Sequence, residues 1–532
     1  MENQLFDQGI LRSMPSINAS LHPSPKDSRP QDILSWNAHT ISDAIQKERS
    51  ITCRELMMAT LDRIDRINPK CNAIILLKDR QTLLEEATKA DEDLLLPLNR
   101  GWLHGIPIAI KDLSNAKGIP TTMGGSRLFA DTGPATYNDL FVANLIQNGA
   151  IIIGKTNTPE GGLGSNTFND IFGITRNPYN LSRSAGGSSG GAAVAVATGM
   201  LAVADGTDNM GSLRNPAGWN NIYSLRPTAG LVPMDAVPET KSVAASVMNH
   251  PASTPGPMAR TPKDAAMLLQ CMVNDLNTFE AKSPFAKKQL PEVPIRVGWL
   301  GDWHGYLAYQ DGVLNHCQRA LERWRDVSST TDCIVEVCNV HDTFPLFPFE
   351  QLWSAYNAVR FATTLEKYSQ YFDVDHLIAQ RGKLIKEELA WELEQGKSVT
   401  EDELGRAKEV HENFCRWLQH VMQEFDALAL PSAQVWPFSV DLRYPEQIGE
   451  KAVDTHHRWM EVCVPVSFAG LPCVTLPAGF NEDKRLPMGI QLFGRRGDDT
   501  NLLRLADSYH ELTSDSRSYI AFVESGKADL AE

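Results

Sequence analysis

Apolar residues recur at helical spacing soon after the chain begins. Leu56, Leu61, Ile64 and Ile67 share one face, and the stripe stops at Asn68-Pro69, where proline removes a donor, so the pattern predicts a packing helix ending there. Further amphipathic segments span about 79–95 and 138–148, the latter closing at Gly149. Each is followed by a short run rich in β-branched residues, 106–110 and 150–153, which predicts a buried strand. The run 192–199 is almost wholly Ala, Val and Gly, a composition for a helix packed closely on a sheet, and 313–324 and 352–368 read as helical. These segments describe one large α/β domain.

Lys111 ends the first strand, an awkward place for a charge. The plain structural alternative is a lysine that snorkels to solvent. Gly149 to Thr156 matches the phosphate-loop pattern G-x-x-x-x-G-K-[ST] letter for letter. A phosphate loop spends its middle residues wrapping phosphate, whereas here they are the predicted strand, and Asn157-Thr158-Pro159 is a poor helix interior. A strand with a structural turn is therefore expected.

The densest polar chemistry lies in 184–214, SAGGSSGGAAVAVATGMLAVADGTDNMGSLR. Paired glycines let backbone N–H groups converge beside Ser188 and Ser189 at the positive end of the predicted helix, which suits an oxyanion or phosphate. Residues 205–216 read as a polar loop that presents N–H groups beside Ser212. A serine hydroxyl is a weak nucleophile and needs a base within reach. Burial disfavours the charged form of lysine, so a buried Lys111 supplies a neutral amine without any histidine.

Composition narrows the classes. A net charge of −15 offers no broad basic surface, which argues against nucleic acid or anionic lipid as partners. The first residues lack a basic n-region with an apolar core, and no apolar run reaches about 18 residues, so a soluble cytoplasmic protein is expected, with no membrane partner. Nine cysteines without a CxxC pair read as reduced core thiols. No G-x-S-x-G elbow surrounds a serine and there is no HExxH, so neither a histidine triad nor metal catalysis is expected; His104 reads as structural, and His456-His457 need not share a ligand site.

These blocks together resemble the amidase signature family of Ser-cisSer-Lys serine amidohydrolases. The likeness runs from about Thr40 to His510 and rests on GWLHGIPIAIKDL, GAIIIGKTNTPE, GGSSGGAAVAVATGM, GTDNMGSLRNPA, SLRPTAGLVP, GPMARTPKDAAMLL, FAGLPCVTLPAGF and MGIQLFGRR, in that order. The resemblance implies a large mixed β-sheet sandwiched between helical layers, with a helical cap. It makes Lys111 the base, Ser188 the cis-serine and Ser212 the nucleophile, with the N–H groups of Asn209, Met210, Gly211 and Ser212 as the oxyanion hole. Ser189 reads as a helix cap or support; the alternative for Ser188 is an N-cap, and Asp208 and Arg214 read as an ion pair bracing the loop. No cofactor and no metal are implied.

The expected activity is cleavage of a small-molecule carboxamide through an acyl-enzyme, with esterase side activity. An amidotransferase A-like subunit that works with partners, and a non-catalytic binding protein of the same fold, share these residues. A homo-oligomer stays open. The expected organisation is an arm over 1–30, an amidase domain over 31–520 with its signature core at about 100–233 and a pocket and cap region at about 234–459, and a tail over 521–532. Two departures from the family stand out: Met210 where glycine is usual, which narrows the pocket, and the bulky Trp219-Asn220-Asn221-Ile222. Eight of the eleven tryptophans lie in the middle region, as core packing or as an aromatic acyl pocket.

Overall fold

In a computed structural model that describes residues 33–96, 101–234, 242–273, 294–327, 334–481 and 486–513, the β-branched runs become buried strands. The expected arm and tail lie outside the described residues. β1 (Ile74–Ile75), β2 (Pro107–Lys111) and β3 (Ile151–Thr156) form a sheet of order β1-β3-β2, with β2 parallel to β3. A hairpin, β4 (Arg176–Asn177) and β5 (Asn180–Ser184), leads into the signature stretch.

The larger sheet comprises β6 (Val203–Asp208), β7 (Tyr223–Arg226), β8 (Thr254–Ala259), β9 (Ile295–Trp299), β10 (Val335–Asn339), β11 (Ala427–Pro431), β14 (Cys473–Phe480) and β15 (Pro487–Phe493). A small hairpin, β12 (Gln447–Ile448) and β13 (Lys451–Ala452), lies between them in sequence. The eight-stranded order is β10-β9-β11-β15-β14-β7-β8-β6, parallel at the β10 end and antiparallel elsewhere. The sheet is therefore mixed, as the resemblance implied. β2 and β6 are edge strands that face one another, and the candidate site sits on that seam.

The first predicted helix, Cys53–Cys71, begins with a Thr52–Glu55 capping box and runs past the expected stop. Pro69 falls in its last turn, and the end is made instead by Asn72 at φ 53° and by Asn68 Oδ1, which accepts the N–H groups of Ala73 and Ile74 at 2.8 Å each. The expected loop over 205–216 is also shorter than its composition suggested. β6 claims residues up to Asp208 by pairing with β8, and a helix starts at Arg214, with Pro216 tolerated in its first turn. The phosphate-loop match runs from a turn at Gly149 into strand β3, which is wholly buried, and Lys155 Nζ donates to Ser114 O at 2.5 Å and Thr121 Oγ1 at 3.0 Å.

The helix Gly190–Ala197 is buried at every residue and packs on β6. Residues 234–459 supply both sheet strands and a helical layer, in which Phe349–Ser369 packs against Glu387–Ser398 and Glu401–Val421. That layer has a small core of its own, including Leu377, Leu389 and Leu393, separate from the main one. Among the described residues no helix is long and apolar enough to cross a membrane. The eight described cysteines are free.

Candidate active site

Lys111 ends β2 at the seam and is completely buried. Its Nζ lies 2.7 Å from Ser188 Oγ, 2.8 Å from Ser189 Oγ and 2.9 Å from Thr207 Oγ1. The snorkelling alternative thus fails. Burial pulls the amine down to about 7, against the opposing pull of the Asp205 and Asp208 carboxylates. Hydroxyls around an amine that has lost its charge leave a lone pair to accept a proton and N–H groups to donate.

The Gly187-Ser188 peptide bond is cis. Gly186 holds φ 76°, and a Cβ there would meet Asn215 Oδ1 at 2.4 Å, the atom that accepts the Gly187 N–H at 3.2 Å. Ser189, not Ser188, occupies the helix N-cap, and its side chain makes no cap bond. Its Oγ instead faces Lys111 and Thr207, and its N–H donates to Ser212 O at 3.2 Å, joining the two serine segments.

Ser212 follows β6 on a short loop clamped from below. Asp208 Oδ1 accepts the Gly211 N–H at 2.9 Å and Oδ2 accepts the Leu213 N–H at 3.0 Å. Arg214 grips the same carboxylate through Nε and Nη2 at 3.0 and 2.9 Å, while Arg226 donates to Asp208 O at 2.8 Å. Burial alone would raise Asp208; the two guanidiniums hold it well below the usual carboxylate range. The brace expected of Asp208 and Arg214 is present.

Gly211 leaves the expected donor set, because its N–H is committed to Asp208. Its glycine identity answers a different need: φ is 89°, and a Cβ would meet Cys463 Sγ at 2.5 Å. The N–H groups of Asn209, Met210 and Ser212 have no hydrogen-bond partner among the described residues. Ser212 is 7% exposed, and its Oγ makes no hydrogen bond among those residues.

Several residues around the site carried no signal in the sequence. Tyr356, on the helix Phe349–Ser369, donates to Asn209 Oδ1 at 2.8 Å. One turn on, Arg360 Nη1 lies 3.7 Å from Met210 Sδ, so the thioether is held against the helical layer. Arg360 Nε also donates to Glu392 Oε1 at 3.0 Å, and His456 Nε2 lies 3.1 Å from the same oxygen. Potential ligand atoms of Glu392, His456 and His457 come within 4.8 Å of one another, closer than their sequence suggested. The Arg360 guanidinium matches the Glu392 charge, burial pushes both imidazoles toward the neutral form, and His457 Nε2 lies 2.9 Å from Asn357 Oδ1, so the ion pair here is Arg360–Glu392 with His456 hydrogen-bonded to it.

Trp219 is a core filler: it is fully buried, stacks on Trp459 at 5.6 Å and lies behind Gly186. A cavity of about 10 Å³, room for about one water, is lined by Ser165, Asn166, Lys386, Arg443, His456 and Trp459, among others. It adjoins the serine turn, since a Cβ on Gly187 would meet Asn166 N at 3.0 Å.

Comparison with known proteins bears on this arrangement. The family described as Amidase matches residues 55–503. The chain is 30% identical to an acylamidase of Rhodococcus erythropolis, over 90% of this chain and 95% of that protein. It is 31% identical to the A subunit of the glutamyl-tRNA(Gln) amidotransferase of Chloroflexus aurantiacus, over 89% and 96%. Its fold is similar to that of a bacterial aryl acylamidase of the amidase signature family, with a TM-score of 0.76 and 24% identity over 90% of this chain and 96% of that one.

Proposed function

From the premise that the chain belongs to the amidase family, we propose that it is an amidohydrolase that cleaves a small carboxamide through an acyl-enzyme on Ser212. Neutral Lys111 accepts the Ser188 hydroxyl proton as Ser188 accepts that of Ser212, and Ser212 Oγ attacks the amide carbonyl. The oxyanion that forms is met by the N–H groups of Asn209, Met210 and Ser212, each good donor contributing about 3 kcal/mol. As the C–N bond breaks, the relay returns the proton to the departing ammonia or amine. Water, deprotonated by the same relay, then attacks the acyl-enzyme and releases the acid.

The observation that carries this reading is Lys111 Nζ, completely buried and 2.7 Å from Ser188 Oγ. Purified protein assayed on a panel of amides and esters, beside Ser212→Ala and Lys111→Ala, tests it. Each variant is expected to lose at least about a thousandfold in kcat, and a fluorophosphonate is expected to label Ser212. Wild-type turnover in either variant sinks the mechanism. The 31% identity to an amidotransferase component supports a second reading, a chain that depends on partner subunits. Hydrolysis of simple amides by the chain alone counts against it.

A further inference from the structure

The edge of β2 facing β6 is closed by a side chain, not by a ladder of backbone bonds. Asp205, fully buried in the middle of β6, accepts the Lys111 backbone N–H through Oδ1 at 3.1 Å and Oδ2 at 3.3 Å. Two residues along the same strand face, Thr207 Oγ1 and O lie 2.9 and 3.4 Å from Lys111 Nζ. One face of β6 therefore holds both ends of the lysine, its backbone through Asp205 and its amine through Thr207.

Other charges near this carboxylate are matched elsewhere. Across the seam stand Lys111 and Asp112 at the end of β2 and Lys155 on β3, and Asp208 lies farther along β6. Lys155 is 3.5 Å from Asp112, and Asp208 is gripped by Arg214 at 2.9 Å. Asp139, at the start of the helix Leu140–Gln147, bears on Lys155. Asp205 makes no ion pair of its own among the described residues. Its nearest commitment is to the lysine whose amine touches Ser188.

We propose that Asp205 is a positioning residue for the base: it fixes the Lys111 backbone across the seam, and its buried negative charge sets the pH at which the amine gives up its proton. The inference rests on the reading of Lys111 as base. Burial by itself drives a lysine toward neutrality and weakens it as a base; a nearby carboxylate restores basicity. Burial also pushes the Asp205 carboxyl up, to about 6, against the pull of the Lys111 N–H it accepts and of the Lys111 and Lys155 charges.

The test is the pH dependence of kcat/KM on a simple amide, together with the pH dependence of the fluorophosphonate labelling rate, for wild type, Asp205→Asn and Asp205→Glu. The asparagine keeps an oxygen for the Lys111 N–H and removes the charge. Its acid limb is expected to move to lower pH by about one unit, because a lysine without its carboxylate loses its proton more readily. Asp205→Glu retains the charge and is expected to keep the limb within a few tenths of a unit of wild type. The labelling rate constant is read per folded molecule, and Asp205→Ser takes the place of the asparagine if that variant does not accumulate. A neutral variant that loses activity in parallel at every pH, with its limb unmoved, overturns the proposal and leaves Asp205 a structural tie. If Lys111→Ala keeps wild-type turnover, the reading of the base fails first; an unmoved limb beside an inactive Lys111→Ala sinks the inference alone.

Discussion

Lys111 has to be deprotonated before Ser188 can pass a proton to it. Burial brings the amine to about 7, so the neutral fraction falls tenfold per unit below that pH and saturates above it. kcat/KM is therefore expected to rise about tenfold per pH unit up to roughly 7 and then level off; a pH-rate profile flat from 5 to 8 contradicts this. Gly211 carries a second expectation. Alanine there needs φ 89° and brings a methyl to 2.5 Å from Cys463 Sγ, so Gly211→Ala is expected to lower stability by about 1–3 kcal/mol. Thermal unfolding of the purified variant measures it. The lysine stood out in the sequence as a charge at the end of an apolar strand, but position alone allowed it to snorkel, and it was the family resemblance that made it the base. Asp205 and Thr207 did not stand out, because alternate residues on a strand lacking an obvious pattern say nothing about which edge lies opposite.

At the level of elements, the loop between β6 and the helix at Arg214 is rigid because both of its ends are fixed to one carboxylate. Asp208 accepts two loop N–H groups and the Arg214 fork, all fully buried. Asp208→Asn leaves Arg214 and Arg226 without a counter-charge and is expected to cost about 3–5 kcal/mol, seen as a large fall in Tm together with lost turnover. A variant within about 1 kcal/mol of wild type would show that the clamp contributes little. Element types followed from periodicity, since apolar spacing reports burial directly. Boundaries moved where a single side chain decided them. Asn68 carried the first predicted helix past Pro69, and strand pairing with β8 took the first third of a stretch whose Asp, Gly and Thr content reads as loop. The oxyanion loop shows the same limit within the site: four N–H groups looked equivalent in sequence, and only the turn of the chain directs that of Gly211 to Asp208.

On the scale of the whole molecule, the helical layer packs against the loop that carries the nucleophile, Tyr356 on Asn209 and Arg360 on Met210. Ser188 is 2% exposed and Ser212 7%, and a cavity of about 10 Å³ adjoins the serine turn. Among the contacts that tie the helical layer to the loop before β4, Arg443 donates to Glu388 through Nε at 2.9 Å and Nη2 at 2.7 Å and lies over the Phe168 ring at 5.2 Å. Glu388 belongs to the helical layer and Phe168 to the loop before β4, so this contact bridges the two sides of the cavity. The Arg443 side chain is 48% exposed and that of Glu388 9%, and with one partner in solvent the pair contributes on the order of 1 kcal/mol. Removing it is therefore expected to ease displacement of the helical layer from this loop by up to about fivefold. Arg443→Ala should raise kcat/KM for bulky anilides by that factor relative to acetamide, which needs less displacement, while the acid limb of the pH profile stays in place because Lys111 is untouched. Were the pair only surface decoration, the ratio of bulky to small substrate would match wild type; were it part of the chemical machinery, both substrates would lose rate together.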